Sequence, residues 1–252
     1  MGWFRLLTRI PLLMAMTVVL FSGRLLCRPL VLAGERTDRR VRLFFLQSWN
    51  RLFARIAGIR VEVRGTPPRR PFFMVANHLS YLDMLLLNHT VGAIFVSRGD
   101  VEHWPVIGFM ARSLYIIFID RESRRDTVRV NGLIRHAIEQ GDGVVVFAES
   151  RITVGREVDP FKSSLIEPAV AAGLPVHYAA ISYETLPGCP PASEIVGWWR
   201  PEGFFYHLQR LLRHRGLKAT VTFGDAPIVG DDRKVLAVRL HDAVQALYTP
   251  IV

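Results

Sequence analysis

The chain has 252 residues, which is enough for one sizeable hydrophobic core and ordinary for a single α/β domain with an extension. Its 32 basic residues outnumber its 22 acidic ones, for a formal charge of +10, yet 50% of the residues are hydrophobic. This combination favours contact with a membrane surface over binding of free nucleic acid, because the arginines are spread along the chain and are not interleaved with aromatic residues. Cys27 and Cys189 stand apart from each other, so neither a disulfide framework nor a zinc site is indicated.

The N-terminal part reads as two helical segments. Residues 10–23 form an uncharged apolar run that is shorter than the roughly 20 residues of a membrane-spanning helix, and we expect a retained, shallow or re-entrant anchor. A signal peptide cleaved within VLAGE, after the first 33 residues, is the alternative. From Asp38 to Ala57 apolar residues recur every three or four positions with arginines between them, which predicts an amphipathic helix that packs on the domain, lies among lipid headgroups, or does both. Residues 1–58 are thus predicted to be a membrane-associated helical segment.

After Gly58 the pattern changes to short apolar runs that alternate with helix-length segments. This alternation predicts an α/β domain over residues 59–252, with a mixed, partly parallel sheet flanked by helices. Helices are predicted at 124–140 and 162–173, and a last one is predicted to begin after Asp231 and end near Tyr248. The predicted strands are the segments IRVEVRG, 72–76, 93–97, 115–119, 143–147, 175–183 and 217–224.

A cluster of polar residues interrupts the apolar stretch PFFMVANHLSYLDMLLL, residues 71–87. Ser80 is a candidate helix N-cap and Asp83 falls where a capping-box acid would lie, which places His78 in the turn between a strand and a helix. Five residues on a continuous helix would separate two side chains by about 140°, so His78 and Asp83 meet only if the chain bends. A histidine held by a carboxylate suits a general base. On residue types alone, however, simple capping by Asp83 is the favoured interpretation.

The same stretch carries a family resemblance. NHLSYLD matches the NHxxxxD signature of the lysophospholipid acyltransferases, which include the 1-acylglycerol-3-phosphate acyltransferases. WPVIGFMARSLYIIFIDR resembles the second block of that family, FAESRITVG with VDPFKSSL resembles the third, and LPVHYAAISYET resembles the fourth. The four blocks occur in the family's order and cover about residues 50 to 225.

The resemblance implies transfer of a fatty acyl group from acyl-CoA or acyl carrier protein to the hydroxyl of a lysolipid, with His78 as general base and Asp83 as its orienting anion. It implies 1-acylglycerol-3-phosphate as the first acceptor to consider, with a lyso-aminolipid or another lysophospholipid as alternatives. It also implies no metal or cofactor beyond the acyl donor, membrane lipids as partners, and a place on the cytoplasmic face of the inner membrane. Direct transfer is expected because no GxSxG nucleophile elbow is present. A non-catalytic basic membrane-binding protein and a hydrolase that uses His78 and water are the rival interpretations.

Candidate headgroup residues follow from the later blocks. Arg121 is the first candidate for gripping a phosphate or carboxylate, because a guanidinium offers a planar fork. Glu149 is expected to shape the headgroup site, and Arg98 is a weaker candidate. Lys162 is either a phosphate contact or a residue at a helix start.

The third block departs from the family pattern, since Ala148 replaces a proline, Ser150 a glycine and Arg151 a threonine. Arg151 is the nearest cation that could serve the headgroup there. Serine adopts positive φ less readily than glycine, so we expect a stiffened or reshaped loop at Ser150. These departures leave the acceptor open.

Overall fold

The structure is a computed structural model that describes residues 2–99, 108, 116–119 and 123–252. Within this part the strands form one seven-stranded sheet in the order β1-β7-β6-β2-β5-β3-β4. Neighbouring strands are parallel except β6 and β7, which are antiparallel. The sheet is thus mixed and mostly parallel, as predicted. The strands are β1 (Ile59–Arg64), β2 (Phe72–Ala76), β3 (Ala93–Arg98), β4 (Ile117–Ile119), β5 (Gly143–Phe147), β6 (Val176–Thr185) and β7 (Leu217–Phe223).

Burial along the strands explains why the sheet has this arrangement. Every residue of β2 and β5 is buried, as expected of central parallel strands covered on both faces, and both strands have the predicted bounds. Along β7 buried residues alternate with partly exposed ones, so this strand contributes one face to the core. The central position of β2 and β5 places the turns that follow them in the middle of one sheet edge.

Eight α-helices accompany the sheet in the described part of the chain. The predicted helix over 162–173 is instead a 3-10 turn at Ser163–Leu165 followed by a short helix, because Pro168 lacks an N–H donor and fits only a first helical turn. The last helix is capped by Asp232, one residue after the predicted cap. The helices are α1 (Gly2–Leu26), α2 (Glu35–Ala57), α3 (Leu82–Thr90), α4 (Arg124–Glu139), α5 (Glu167–Ala171), α6 (Ala192–Ile195), α7 (Phe204–Arg213) and α8 (Arg233–Leu247).

The first helix is longer than the apolar run at 10–23 indicated. It spans 25 residues because the basic residues before the run are also helical, and by length and composition it could cross a membrane. Arg9 donates hydrogen bonds to the carbonyls of Leu212 at 3.0 Å and His214 at 2.6 Å, at the end of α7. α2 packs on the core through Phe53 and Ala57, which confirms domain packing for that helix.

Candidate active site

The candidate site lies at the carboxyl ends of two neighbouring parallel strands. In the β2–β5 register Ala76 lies beside Phe147. His78 follows β2 by two residues and Glu149 follows β5 by two residues, so both turns meet at one edge of the sheet. Ligand sites in α/β sheets commonly form at this edge.

His78 and Asp83 are in direct contact. The Nδ1 atom of His78 lies 2.8 Å from Oδ2 of Asp83, and the same oxygen accepts backbone N–H hydrogen bonds from Leu79 at 2.6 Å and Ser80 at 2.8 Å. The chain therefore bends around the carboxylate as the spacing required. Asp83 both caps the turn and holds the imidazole, so the two predicted contacts occur together, and the role of His78 as general base stays a prediction. α3 begins at Leu82 after Tyr81, one residue later than predicted. Ser80 nevertheless takes part in the cap, because its Oγ atom accepts the N–H of Leu82 at 3.4 Å and its own N–H donates to Asp83.

The second oxygen of Asp83 is used as well. Asp83 is fully buried, and its Oδ1 atom accepts a hydrogen bond from the hydroxyl of Tyr183 at 2.6 Å. Burial raises the pKa of Tyr183 well above its usual value, and the nearby Asp83 charge adds to this, so the phenol remains a donor. The sequence patterns do not single out Tyr183, although its place near the end of the fourth block was a usable signal.

The imidazole of His78 lies flat on an aromatic ring. Its centroid is 4.0 Å from that of Phe147, with 13° between the planes, and 17% of the His78 side chain is exposed. Asp83 occupies Nδ1, so Nε2 is the ring nitrogen that remains for a substrate proton. Phe147 is a second site residue that the sequence patterns do not identify. Its signal was the last position of a buried strand.

Glu149 joins the two turns. It is buried, its Oε1 atom accepts the backbone N–H of His78 at 2.5 Å, and its Oε2 atom accepts that of Asp159 at 2.8 Å. Burial raises the pKa of Glu149 to about 8, although the N–H groups of Asp159 and His78 act in the opposite direction. Both carboxyl oxygens thus accept backbone N–H groups, and Glu149 links the loop after β5 to the His78 turn.

The loop after β5 carries the departures from the family pattern. Ser150 has a φ of 63°, which lies in the left-handed region that glycine adopts more readily than serine. Arg151 donates through Nε to Oδ2 of Asp159 at 2.7 Å, and 75% of its side chain is exposed. Lys162 is exposed, and its backbone N–H donates to the carbonyl of Ala148 at 2.8 Å.

Two candidate cations lie partly or wholly outside the described residues. Arg121 lies outside the described residues. Only the backbone of Arg98 is described, at the end of β3, where it pairs with Ile119 of β4. In the described ranges 2–99, 116–119 and 123–252, no three His, Cys, Asp or Glu side chains are arranged to hold a metal ion.

The chain is similar in sequence to known acyltransferases. A family profile described as Acyltransferase matches residues 59–182. The lyso-ornithine lipid O-acyltransferase of Rhizobium meliloti is 31% identical over 237 residues, which cover 89% of this chain and 78% of that protein. The lyso-ornithine lipid O-acyltransferase of Pseudomonas aeruginosa is 33% identical over 187 residues, which cover 73% and 70%.

Two further comparisons involve enzymes with a phosphate-bearing acceptor in their names. The 1-acyl-sn-glycerol-3-phosphate acyltransferase of Neisseria gonorrhoeae is 32% identical over 127 residues, 50% of each chain. The crystal structure of the 1-acyl-sn-glycerophosphate acyltransferase of Thermotoga maritima superimposes with a TM-score of 0.73 at 19% identity, over 98% of this chain and 95% of that one. The part of the chain that the structure describes therefore shares the fold of this enzyme.

Proposed function

The chain belongs to the lysophospholipid acyltransferase family, and from this premise we propose that it transfers a fatty acyl group from a thioester donor to the hydroxyl of a lyso-ornithine lipid, with His78 as general base. The family and the acyltransferase activity class rest on the comparisons. The observation that carries the catalytic part is the contact between His78 Nδ1 and the buried carboxylate of Asp83.

The proposed reaction is a direct transfer. Nε2 of His78 takes the proton of the acceptor hydroxyl while the hydroxyl oxygen attacks the carbonyl carbon of the thioester. The carbon–sulfur bond then breaks, and the thiolate of acyl-CoA or acyl carrier protein leaves and receives the proton from the imidazolium. Asp83 keeps Nδ1 protonated and stabilises the imidazolium, and general-base assistance of this kind is typically worth about 10²- to 10⁴-fold in rate.

Lyso-ornithine lipid is proposed as the acceptor ahead of 1-acylglycerol-3-phosphate, which the resemblance alone placed first. The lyso-ornithine lipid enzymes match this chain over 73% to 89% of its length, whereas the gonococcal enzyme matches 50%. The third block and the segment after it also contain an ion pair, Arg151 with Asp159. An ornithine headgroup carries a carboxylate and an amine, which complement such a pair better than a phosphate monoester does.

The acceptor is tested by direct competition. The purified protein receives an acyl thioester and an equimolar mixture of lyso-ornithine lipid and 1-acylglycerol-3-phosphate, and mass spectrometry measures both products. We expect the acylated ornithine lipid to dominate and His78→Ala to form neither product. A larger kcat/KM for 1-acylglycerol-3-phosphate would instead assign the second candidate function, and thioester hydrolysis without acyl transfer would assign the hydrolase.

We place the site at the cytoplasmic face of the membrane. The apolar helix α1 and the lipid substrates named for the relatives support membrane association. The water-soluble donor, acyl-CoA or acyl carrier protein, supports the cytoplasmic face. Protease accessibility of a C-terminal tag in right-side-out and inside-out vesicles tests this orientation.

A further inference from the structure

We infer that Tyr183 is a positioning residue for the catalytic pair, acting on His78 through Asp83. The inference rests on the proposed role of His78 as base. Tyr183 lies on β6, 100 residues after Asp83 in the chain. Its hydroxyl donates to Oδ1 of Asp83, the oxygen to which the His78 turn provides no donor.

The hydrogen-bond geometry around Asp83 assigns this role. Oδ2 accepts hydrogen bonds from Nδ1 of His78 and from the backbone N–H groups of Leu79 and Ser80, and all three donors belong to the turn. Oδ1 receives Tyr183 at 2.6 Å, from a different strand. A carboxylate with donors on both oxygens cannot rotate about its Cβ–Cγ bond without breaking several of them, so the tyrosine fixes its plane.

The position of Tyr183 is itself fixed from two sides. The side-chain amide of Asn77 donates to the carbonyl of Ile181 at 3.0 Å and accepts its N–H at 2.7 Å, which ties β6 to the residue immediately before His78. On the other side Tyr183 pairs with Ala219 of β7 in the antiparallel ladder. Tyr183 is buried, so its hydroxyl cannot exchange Asp83 for water.

Tyr183→Phe tests the inference, because phenylalanine keeps the ring and removes only the hydroxyl. We expect kcat to fall about three- to tenfold with little change in KM. The carboxylate then has one donor fewer and interacts more strongly with the imidazolium, so the acid limb of the pH–rate profile should move up by about 0.5 to 1 unit. The other titratable groups near this cluster are Glu149, Tyr81 and Tyr248, and they are unchanged in the variant. Burial raises the pKa of both tyrosines, so these phenols carry no charge across the acid limb.

Tyr248→Phe is the matched control. Its hydroxyl is also buried and donates to a backbone carbonyl, that of Gly155, at 2.8 Å, without touching Asp83. Both variants should lose similar thermal stability, but only Tyr183→Phe should move the acid limb. A folded Tyr183→Phe protein with a wild-type pH profile and kcat would overturn the inference, whereas an active His78→Ala protein would overturn the proposed function itself.

A second inference concerns an outer surface and is independent of the catalytic pair: the geometry points to α7 as a second membrane-contacting helix. Its residues Phe205 and Tyr206 are 68% and 65% exposed. Tyr206 and Arg213 are seven residues apart, close to two helical turns, and therefore lie on one line of the exposed face.

α1 joins this face and indicates what covers it. The guanidinium of Arg213 lies 3.9 Å from the ring centroid of Trp3, and Arg5 donates to the carbonyl of Arg213 at 3.2 Å. The exposed aromatic face of α7 is thus continuous with the start of the helix that could cross a membrane. Aromatic rings beside arginines are typical of the boundary between lipid headgroups and acyl chains, and the arginines complement anionic headgroups. The occupant we assign is this lipid boundary.

An environment-sensitive fluorophore tests the surface in the full-length chain. The label is attached at Phe205→Cys, or for the control at Val238→Cys on α8, in a Cys27→Ser, Cys189→Ser background, and phosphatidylglycerol–phosphatidylcholine vesicles are added. Val238 is as exposed as Phe205, at 60%. We expect a blue shift and quenching by brominated lipid at position 205 only. Emission typical of water from the label at 205, while the protein is bound to vesicles, would overturn the inference. A blue shift at 205 without vesicles that grows with protein concentration would also overturn it, because it would show contact between protein molecules.

Discussion

The turn after β2 and the loop after β5 lie side by side at one edge of the sheet but are held in different ways. In the turn, both oxygens of Asp83 are saturated by buried donors, and the His78 ring lies on Phe147. In the loop, Arg151 is exposed and forms an ion pair with Asp159. If His78 and Arg151 have the proposed roles, the chemistry lies on the buried element and the headgroup contact lies on the exposed one, where substitution costs little stability.

The largest effect that this comparison predicts comes from the turn. His78→Ala should lower kcat by about 10²- to 10⁴-fold, because the acceptor hydroxyl loses its base. His78 is not needed to fill the core, so circular dichroism and vesicle binding should be unchanged. Turnover with purified acceptor and donor is the measurement, and wild-type turnover in a folded variant would contradict the distinction between the two regions.

Asp83→Asn should give the next largest effect. The asparagine oxygen can take the place of Oδ2 and its amide can donate to the oxygen of Tyr183, so the geometry is retained while the charge is lost. A hydrogen bond to a charged group contributes about 1.5 to 3 kcal/mol, so we expect kcat to fall about 10- to 10²-fold. An unchanged kcat would show that Asp83 only caps the turn.

Glu149→Gln should weaken the link between the two regions. Glutamine can accept one of the two backbone N–H groups but not both, which should cost about 1 to 3 kcal/mol of stability and lower turnover less than the changes in the turn.

The pH dependence of stability provides a second readout for Glu149. Its pKa is about 8 in the folded protein against an ordinary value of 4.5, so between these values the folded state holds the extra proton. The free energy of unfolding should therefore fall as pH rises from about 4.5 to about 8. Urea unfolding across this range should show that slope in the wild type and a flatter one in Glu149→Gln.

The loop should be the more tolerant region. Because Arg151 is exposed, Arg151→Ala should raise the KM for the acceptor by no more than about fivefold and leave kcat unchanged. Arg156→Ala, at another exposed arginine of the same loop, is the control and should leave KM unchanged. A fall in kcat comparable to that of Asp83→Asn would place Arg151 with the catalytic turn.

Ser150→Gly should have the smallest effect on activity and a favourable effect on stability. Ser150 is held at a φ of 63°, a conformation that costs an L-residue about 1 to 2 kcal/mol and glycine little. The variant should be slightly more stable to urea with unchanged kcat. Lower stability would show that the side chain of Ser150 contributes more than its backbone strain costs.

The fold was largely accessible from the sequence because its strands are short apolar runs. The bounds of β2 and β5 follow directly, since every residue in these runs is buried. The prediction of one helix over 162–173 was wrong, because the spacing of apolar residues does not take account of the N–H that Pro168 lacks. The apolar run at 10–23 gives too short a length for α1, because the charged residues beside the run are also helical. Arg9, for example, donates hydrogen bonds to carbonyl groups at the end of α7.

By itself, the sequence identified His78 and Asp83 as a candidate pair, because their spacing across a strand-to-helix turn is local and the NHxxxxD resemblance favours catalysis over simple capping. Tertiary structure alone decided what surrounds them. Tyr183 and Phe147 reach the pair only through the alignment of β6 and β5 with β2, which hydrogen bonds between distant segments fix. It also decided that Glu149 clamps a loop and that Arg151 pairs with Asp159, because a side chain's partner depends on which loops the sheet brings to the same edge.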